Sequence, residues 1–194
     1  MTRSQPKVVL WTGPKGSDKT TGAMALAEKA RAAGFSVAGV AAPGLDEGGR
    51  RMGFDVVDLH TSARAALARR GRSSPVRTGR YGFLAEGLAM GREALSCPAA
   101  MSADLVIVDE FGPLELRGEG WRPAVDALVS EARGLILLVV RESLAASIMG
   151  LYRKFGCVKF QAHRPWADAI LELLGKRSHG CGAPTPQAGG AGAP

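Results

Sequence analysis

Apolar runs alternate with amphipathic stretches along most of this chain. Residues 7–11 form a short apolar run, and from Thr20 onward Ala23, Leu26, Ala27 and Ala30 recur on one face at helical spacing. A second apolar run covers 36–42 and stops at Pro43-Gly44. After a turn around Asp46-Glu47-Gly48-Gly49-Arg50-Arg51, residues 54–59 alternate apolar and polar, the pattern of a strand with one wet face. Strand, tight turn and strand predict a β-hairpin inserted beside the main sheet. An arginine-rich helix and loop are expected next, then a short strand near Tyr81-Gly82-Phe83 and a helix carrying Leu84, Leu88 and Leu95. Runs at 105–108 and 135–140 read as buried strands with a helix over 122–132 between them. A short helix carrying Leu144 and Ile148, a strand near 158–160 and a helix over 166–174 close the pattern. Strands that are apolar throughout, alternating with helices, predict an α/β fold: a mostly parallel central sheet covered by helices on both faces.

Composition sets the outer limits of that picture. The 194 residues suit one domain, placed at 1–175, with a Gly/Pro/Ala-rich tail at 176–194 that cannot bury a core and is expected to be disordered. No apolar stretch is long enough to span a bilayer, and the first strand begins too early for a signal peptide. Cys97, Cys157 and Cys181 are scattered, without a disulfide framework or paired ligand spacing, so a reducing, cytoplasmic setting is expected. The close pair His179 and Cys181 falls in the tail and is read as no metal site. The net charge of +7 raises the question of nucleic acid, and much of it comes from Arg64, Arg69, Arg70, Arg72, Arg77 and Arg80. No aromatic residue stands among these before Tyr81, which argues against a stacking platform and for a solvated surface. A monomer or weak oligomer is expected.

Between the first strand and helix lies Gly13-Pro14-Lys15-Gly16-Ser17-Asp18-Lys19-Thr20, which matches the phosphate-binding pattern G-x-x-x-x-G-K-[ST] except at Asp18. Backbone N–H groups and the helix N-terminus converge on a phosphate in such a turn, a lysine reaches the outer phosphates, and the hydroxyl can hold Mg²⁺. Asp18 has two readings. As an N-cap, its carboxylate would take the N–H donors a phosphate needs. A carboxylate about 4 Å from a triphosphate would cost roughly 4 kcal/mol at an effective dielectric near 20. If it turns outward instead, the loop still binds nucleotide. The strand 105–108 then ends in Asp109-Glu110. Beyond a phosphate loop such a pair supplies a metal-holding acid, Asp109, and a general base for water, Glu110.

Longer motifs make the resemblance specific. Asp109-Glu110-Phe111-Gly112-Pro113-Leu114-Glu115-Leu116 resembles the D-E-[IF]-G-x-[ML]-E-L block of the thermophile-type nucleoside-triphosphatases, a family that includes the human cancer-related nucleoside-triphosphatase. Gly48-Gly49-Arg50-Arg51-Met52-Gly53-Phe54-Asp55-Val56-Val57-Asp58-Leu59 is similar to its G-G-x-R-x-G-F-D-[IV]-V-x-L hairpin, and Thr78-Gly79-Arg80-Tyr81 to its G-[KR]-Y element. The motifs keep the family's order from about Lys7 to Arg141. Asp18 departs from the pattern, and Trp121 stands near where the family carries Phe.

The resemblance implies a RecA-like P-loop domain that hydrolyses ATP, GTP and other nucleoside triphosphates with little base preference and with Mg²⁺. It assigns phosphate binding to Lys19, the metal to Thr20 and Asp109, and the base to Glu110. The nucleotide is expected against Gly13, Pro14, Lys15, Gly16, Ser17, Asp18, Lys19, Thr20 and Thr21, with Arg51 reaching in from the hairpin or serving as a surface charge. Arg141 reads as a γ-phosphate sensor or as a solvated strand end, and Glu115 as a support for the Asp109-Glu110 loop. A nucleotide-binding regulator with hydrolysis weakened or lost through Asp18 is the competing reading. A nucleotide or small-molecule kinase would need a lid and an acceptor site that the sequence does not display.

Overall fold

The computed structural model describes residues 6–14, 16–161 and 166–178. The strands and helices, in chain order, are β1 (Val8–Gly13), α1 (Lys19–Ala32), β2 (Val37–Ala41), β3 (Gly44–Glu47), β4 (Arg50–Asp58), β5 (Arg64–Arg70), β6 (Arg77–Thr78), β7 (Tyr81–Phe83), α2 (Ala85–Ser96) and α3 (Pro98–Ser102), continuing with β8 (Leu105–Asp109), α4 (Pro113–Leu116), α5 (Arg122–Glu131), β9 (Leu135–Arg141), α6 (Ala145–Tyr152), β10 (Cys157–Gln161) and α7 (Trp166–Ser178). All strands join one sheet in the order β10-β1-β9-β8-β2-β4-β5-β7-β6, with β3 paired to β4.

The uninterrupted apolar strands are explained by burial on both faces. Along β1, Val8 and Leu10 enter one core, whereas Val9 and Trp11 enter the other. The same alternation divides Val106 and Val108 of β8 from Leu105 and Ile107, and Ile136 and Leu138 of β9 from Leu135 and Leu137. On the first face Leu88 and Leu95 of α2, Val125 and Leu128 of α5 and Ile148 of α6 cover the sheet. On the second, Leu26 and Ala30 of α1 pack beside Ile170 and Leu174 of α7. Trp166 opens α7 and stacks on Trp11, with ring centroids 3.7 Å apart.

β10, β1, β9, β8 and β2 run parallel. Beyond β2 the sheet turns antiparallel: the expected hairpin, β3 and β4, is the first part of a wing completed by β5, β6 and β7. Its turn is Gly48-Gly49, with φ of 54° and 72°, the left-handed pair that a two-residue hairpin of matching twist requires. β4 pairs with β2 only through Val57 and Asp58, so its earlier residues, from Arg50, continue past the carboxyl edge of the parallel strands.

Residues 64–70 are a strand, not the start of the expected arginine-rich helix. Alanine and arginine favour helix, but pairing outweighs that preference. Asp55 of β4 takes Arg64 at 2.7 Å and Arg69 at 2.8 Å. The register slips between Phe54 and Asp55, leaving Leu67 as the extra residue, so neighbouring Leu67 and Ala68 are both buried. α7 runs on to Ser178 and takes in 176–178, which the composition had assigned to the tail. Residues 179–194, with His179 and Cys181, lie outside the described residues.

Candidate functional site

The site is built where β1, β9 and β8 end side by side. Gly13 of β1 is in register with Arg141 of β9, and Val139 of β9 with Asp109 of β8. These strands are parallel, so everything that follows their carboxyl ends opens on one edge, the usual place for a ligand in such sheets.

The loop after Gly13 turns back at once. Ser17 donates to the Pro14 carbonyl through both N–H, at 3.3 Å, and Oγ, at 2.8 Å. Gly16 and Asp18 both have positive φ, 82° and 46°. Asp18 is the residue before α1, in left-handed geometry (φ 46°, ψ 31°), and its side chain makes no capping hydrogen bond. Its carbonyl receives the Gly22 N–H at 2.9 Å. The N-capping carboxylate that one reading of the sequence supplied is therefore not formed. Asp18 is exposed, and its backbone does what a glycine does at this place in the pattern. Aspartate is among the few side chains that enter this region without a severe clash.

Lys19 lies back over the loop. Its Nζ donates to the carbonyls of Pro14 at 2.7 Å and Gly13 at 3.3 Å, and to Ser17 Oγ at 3.4 Å. The ammonium is thus held by neutral acceptors of the turn itself and has no carboxylate among its hydrogen-bond partners. Thr20 follows in the first turn of α1, close enough to Asp109 for its hydroxyl to favour the ionised carboxylate. Thr21 is exposed, and Lys15 lies outside the described residues.

Asp109 is 2% exposed, and its Oδ2 accepts the Ala42 N–H at 3.3 Å. Burial pushes its carboxyl up to about 6, opposed by the Thr20 hydroxyl and the Ala42 N–H; the charge of Glu110 adds to the rise and that of Lys19 opposes it. Glu110 is more open. It pairs with Arg141, Nε to Oε1 at 2.6 Å and Nη2 to Oε2 at 3.5 Å.

The turn after Glu110 is fixed from inside. Phe111 N–H donates to the Val139 carbonyl at 2.9 Å. Glu115, 5% exposed, accepts the Gly112 N–H at 2.9 Å and the Trp121 N–H at 3.3 Å. Its role as a loop support is thereby visible. Burial raises its carboxyl, against those backbone donors.

The structure thus gathers Gly13, Pro14, Gly16, Ser17, Asp18, Lys19 and Thr20 with Asp109 and Glu110. Arg51 is engaged differently: on the β3–β4 hairpin it forms a fork with Asp46 at 2.6 and 3.1 Å and lies over the Phe54 ring. Two partners escaped the sequence. The Ala42 N–H that holds Asp109 is backbone and leaves no side-chain signal. The Arg141–Glu110 pair was signalled only by a charge placed directly after an apolar run.

A divalent cation suits this donor set. The buried Asp109 carboxylate and the Thr20 hydroxyl near it are hard oxygen donors. Among the described residues no group of three or more His, Cys, Asp and Glu side chains could hold a metal unaided. Few protein oxygens plus substrate phosphates is the habit of Mg²⁺.

Comparison with known proteins gives one consistent result. The family model described as NTPase matches residues 8–165. The chain is 39% identical over 137 residues to the nucleoside-triphosphatase THEP1 of Methanopyrus kandleri, covering 71% of this chain and 74% of that protein. It is 40% identical over 165 residues to the nucleoside-triphosphatase THEP1 of Ignicoccus hospitalis, covering 84% and 94%. Among solved structures, a human cancer-related nucleoside triphosphatase superposes with a TM-score of 0.66 at 24% identity, over 91% of this chain and 100% of that one. THEP1 from Aquifex aeolicus superposes with a TM-score of 0.58 at 21% identity, over 85% and 95%. These two show that the fold is shared.

Proposed function

The chain belongs to the nucleoside-triphosphatase family, and from that membership we propose that it cleaves the γ-phosphate of nucleoside triphosphates at the turn between β1 and α1, with Glu110 as general base. It is a nucleoside-triphosphatase, as the curated relatives are named. The observation that supports this placement most is the register that sets Gly13 of β1, Arg141 of β9 and Asp109 of β8 along one edge: it brings the phosphate turn beside the strand that carries the acids.

Gly16, Asp18 and Lys19 present backbone N–H groups to the β- and γ-phosphates, joined by Ser17 once its N–H leaves the Pro14 carbonyl, and the Lys19 ammonium leaves the Pro14 and Gly13 carbonyls for their oxygens. Thr20 and Asp109 would hold Mg²⁺, which when bound offsets charge on the phosphate oxygens. Water attacks the γ-phosphorus in line. A new P–O bond forms, the bond to the β–γ bridging oxygen breaks, and Glu110 takes the water proton. The products are a nucleoside diphosphate and inorganic phosphate. Thr21 stands in the first turn of α1, and Lys15, by its place in the sequence motif, is assigned to phosphate contact. Arg51 contributes to the nucleotide only if it gives up Asp46.

Broad base acceptance, across ATP, GTP and others, belongs to the same proposal. So does a reducing, cytoplasmic setting: Cys97 and Cys157 are free thiols, and among the described residues no helix is long and apolar enough to cross a membrane. The wing arginines support a small-molecule partner over nucleic acid, because Arg51, Arg64 and Arg69 are already paired with carboxylates. A monomer or weak oligomer is sufficient for this site.

Phosphate release from mixed nucleoside triphosphates with Mg²⁺ tests the reading. Glu110→Gln should lower turnover by roughly 10²-fold or more, the scale of general-base loss, and leave nucleotide binding intact. Failure of calorimetry to detect any nucleotide affinity at millimolar concentration would sink it.

A further inference from the structure

The base in this site is not free. Glu110 is held by Arg141, and that contact defines a further role for the arginine. Arg141 is the last residue of β9, the strand between β1 and β8, and it stands in register with Gly13, where the phosphate turn begins. Its guanidinium therefore rises from the same edge as the phosphate loop and Glu110. The neighbouring acid does not compete for it: Glu142 is engaged by Lys159 at 2.9 Å.

Resting on the hydrolytic reading above, we propose that Arg141 is a γ-phosphate-dependent latch on Glu110: the guanidinium holds the carboxylate in the free enzyme and transfers to the γ-phosphate when a triphosphate binds. The exchange follows from charge and shape. A guanidinium is a planar fork that binds carboxylate and phosphate in the same way, and the more highly charged phosphate is the stronger acceptor. A diphosphate has no γ-group and leaves the pair in place. Once released, Glu110 has both oxygens available for the attacking water, and Arg141 neutralises charge on the group in transfer. One side chain thereby couples recognition of the third phosphate to readiness of the base. The partial exposure of both side chains, 38% for Arg141 and 30% for Glu110, leaves room for the guanidinium to move.

The test compares a triphosphate analogue with an imido β–γ bridge against the diphosphate, each with Mg²⁺, by calorimetry on the full chain carrying Arg141→Ala or Arg141→Lys. Thermal melts establish that both variants are folded. Arg141→Ala should weaken the triphosphate analogue about tenfold or more, the scale of one charge-assisted fork. Diphosphate affinity should stay within about twofold. Its turnover of ATP should fall roughly 10²-fold, and Arg141→Lys, which keeps the charge but not the fork, should recover part of that loss. Equal weakening of both nucleotides, or turnover undiminished in Arg141→Ala, would overturn the latch while leaving the hydrolytic reading in place. Wild-type protein that neither binds nor hydrolyses the triphosphate would overturn both.

Discussion

Asp18 shows how a single residue can mean one thing as a letter and another as a conformation. In sequence it is an anion set among phosphate-binding positions. In the structure it is a residue at φ 46°, exposed and without a capping bond, doing the backbone work for which glycine is the ordinary choice. Exposure changes the magnitude as well. At about 4 Å in a largely aqueous setting the repulsion is roughly 1 kcal/mol, not 4. Asp18→Gly should therefore tighten binding of the imido triphosphate analogue by about fivefold and raise turnover modestly. Calorimetry on the variant checks this, and an unchanged affinity would mean that the carboxylate never faces the phosphates. Lys19, Thr20, Asp109 and Glu110 were legible because each belongs to a short pattern with its own chemistry. Arg141 was legible only as a phosphate sensor or a solvated strand end; its pairing with Glu110 was not, because that depends on which strand lies beside it.

At the scale of elements, the parallel strands and their covering helices were readable from apolar runs and helical spacing. The wing was not. Arg64-Ala65-Ala66-Leu67-Ala68-Arg69-Arg70 has helix-forming composition, and only β4 on one side and β7 on the other make it a strand. α3 and α4 were likewise passed over, though each opens on a proline at its first turn, a usable signal in hindsight. α4 matters for the candidate site because Glu115 accepts from both Gly112 and Trp121 in the loop after Asp109-Glu110. Glu115→Ala would leave the Gly112 and Trp121 N–H groups buried without an acceptor, at about 2–4 kcal/mol. For a chain of this length the melting temperature should drop by roughly 5–15 °C. Glu115→Gln retains one acceptor and should lose about half as much. A melt within error of wild type would show the loop to be held by other contacts.

On the scale of the whole molecule, one long-range contact carries a pH signature. Lys7, just before β1, donates to the Ala132 carbonyl beyond α5, and Arg177 of α7 lies close enough to repel it. Burial, with that repulsion second, brings its ammonium down from 10.5 to about 8. The folded chain thus sheds this proton near pH 8 while the unfolded chain keeps it to near 10.5. Between those values the unfolded state binds more protons, so this group makes stability rise with pH. Lys7→Met should flatten that part of the curve relative to wild type in denaturant titrations from pH 7 to about 10. Parallel curves for the two proteins would remove Lys7 as the cause.

By itself the sequence determined the α/β class, the phosphate turn and the acid pair, because these rest on local periodicity and on residues adjacent in the chain. Tertiary structure decided the rest, since it depends on neighbours far apart in sequence. Pairing across β4, β5 and β7 made an antiparallel wing from helix-forming residues. Placing β9 between β1 and β8 brought Arg141 to Glu110, and folding α1 against β8 set Thr20 near Asp109. The backbone of the turn also settled Asp18, where a charge that the sequence set against the ligand proved to be an exposed side chain on a left-handed residue.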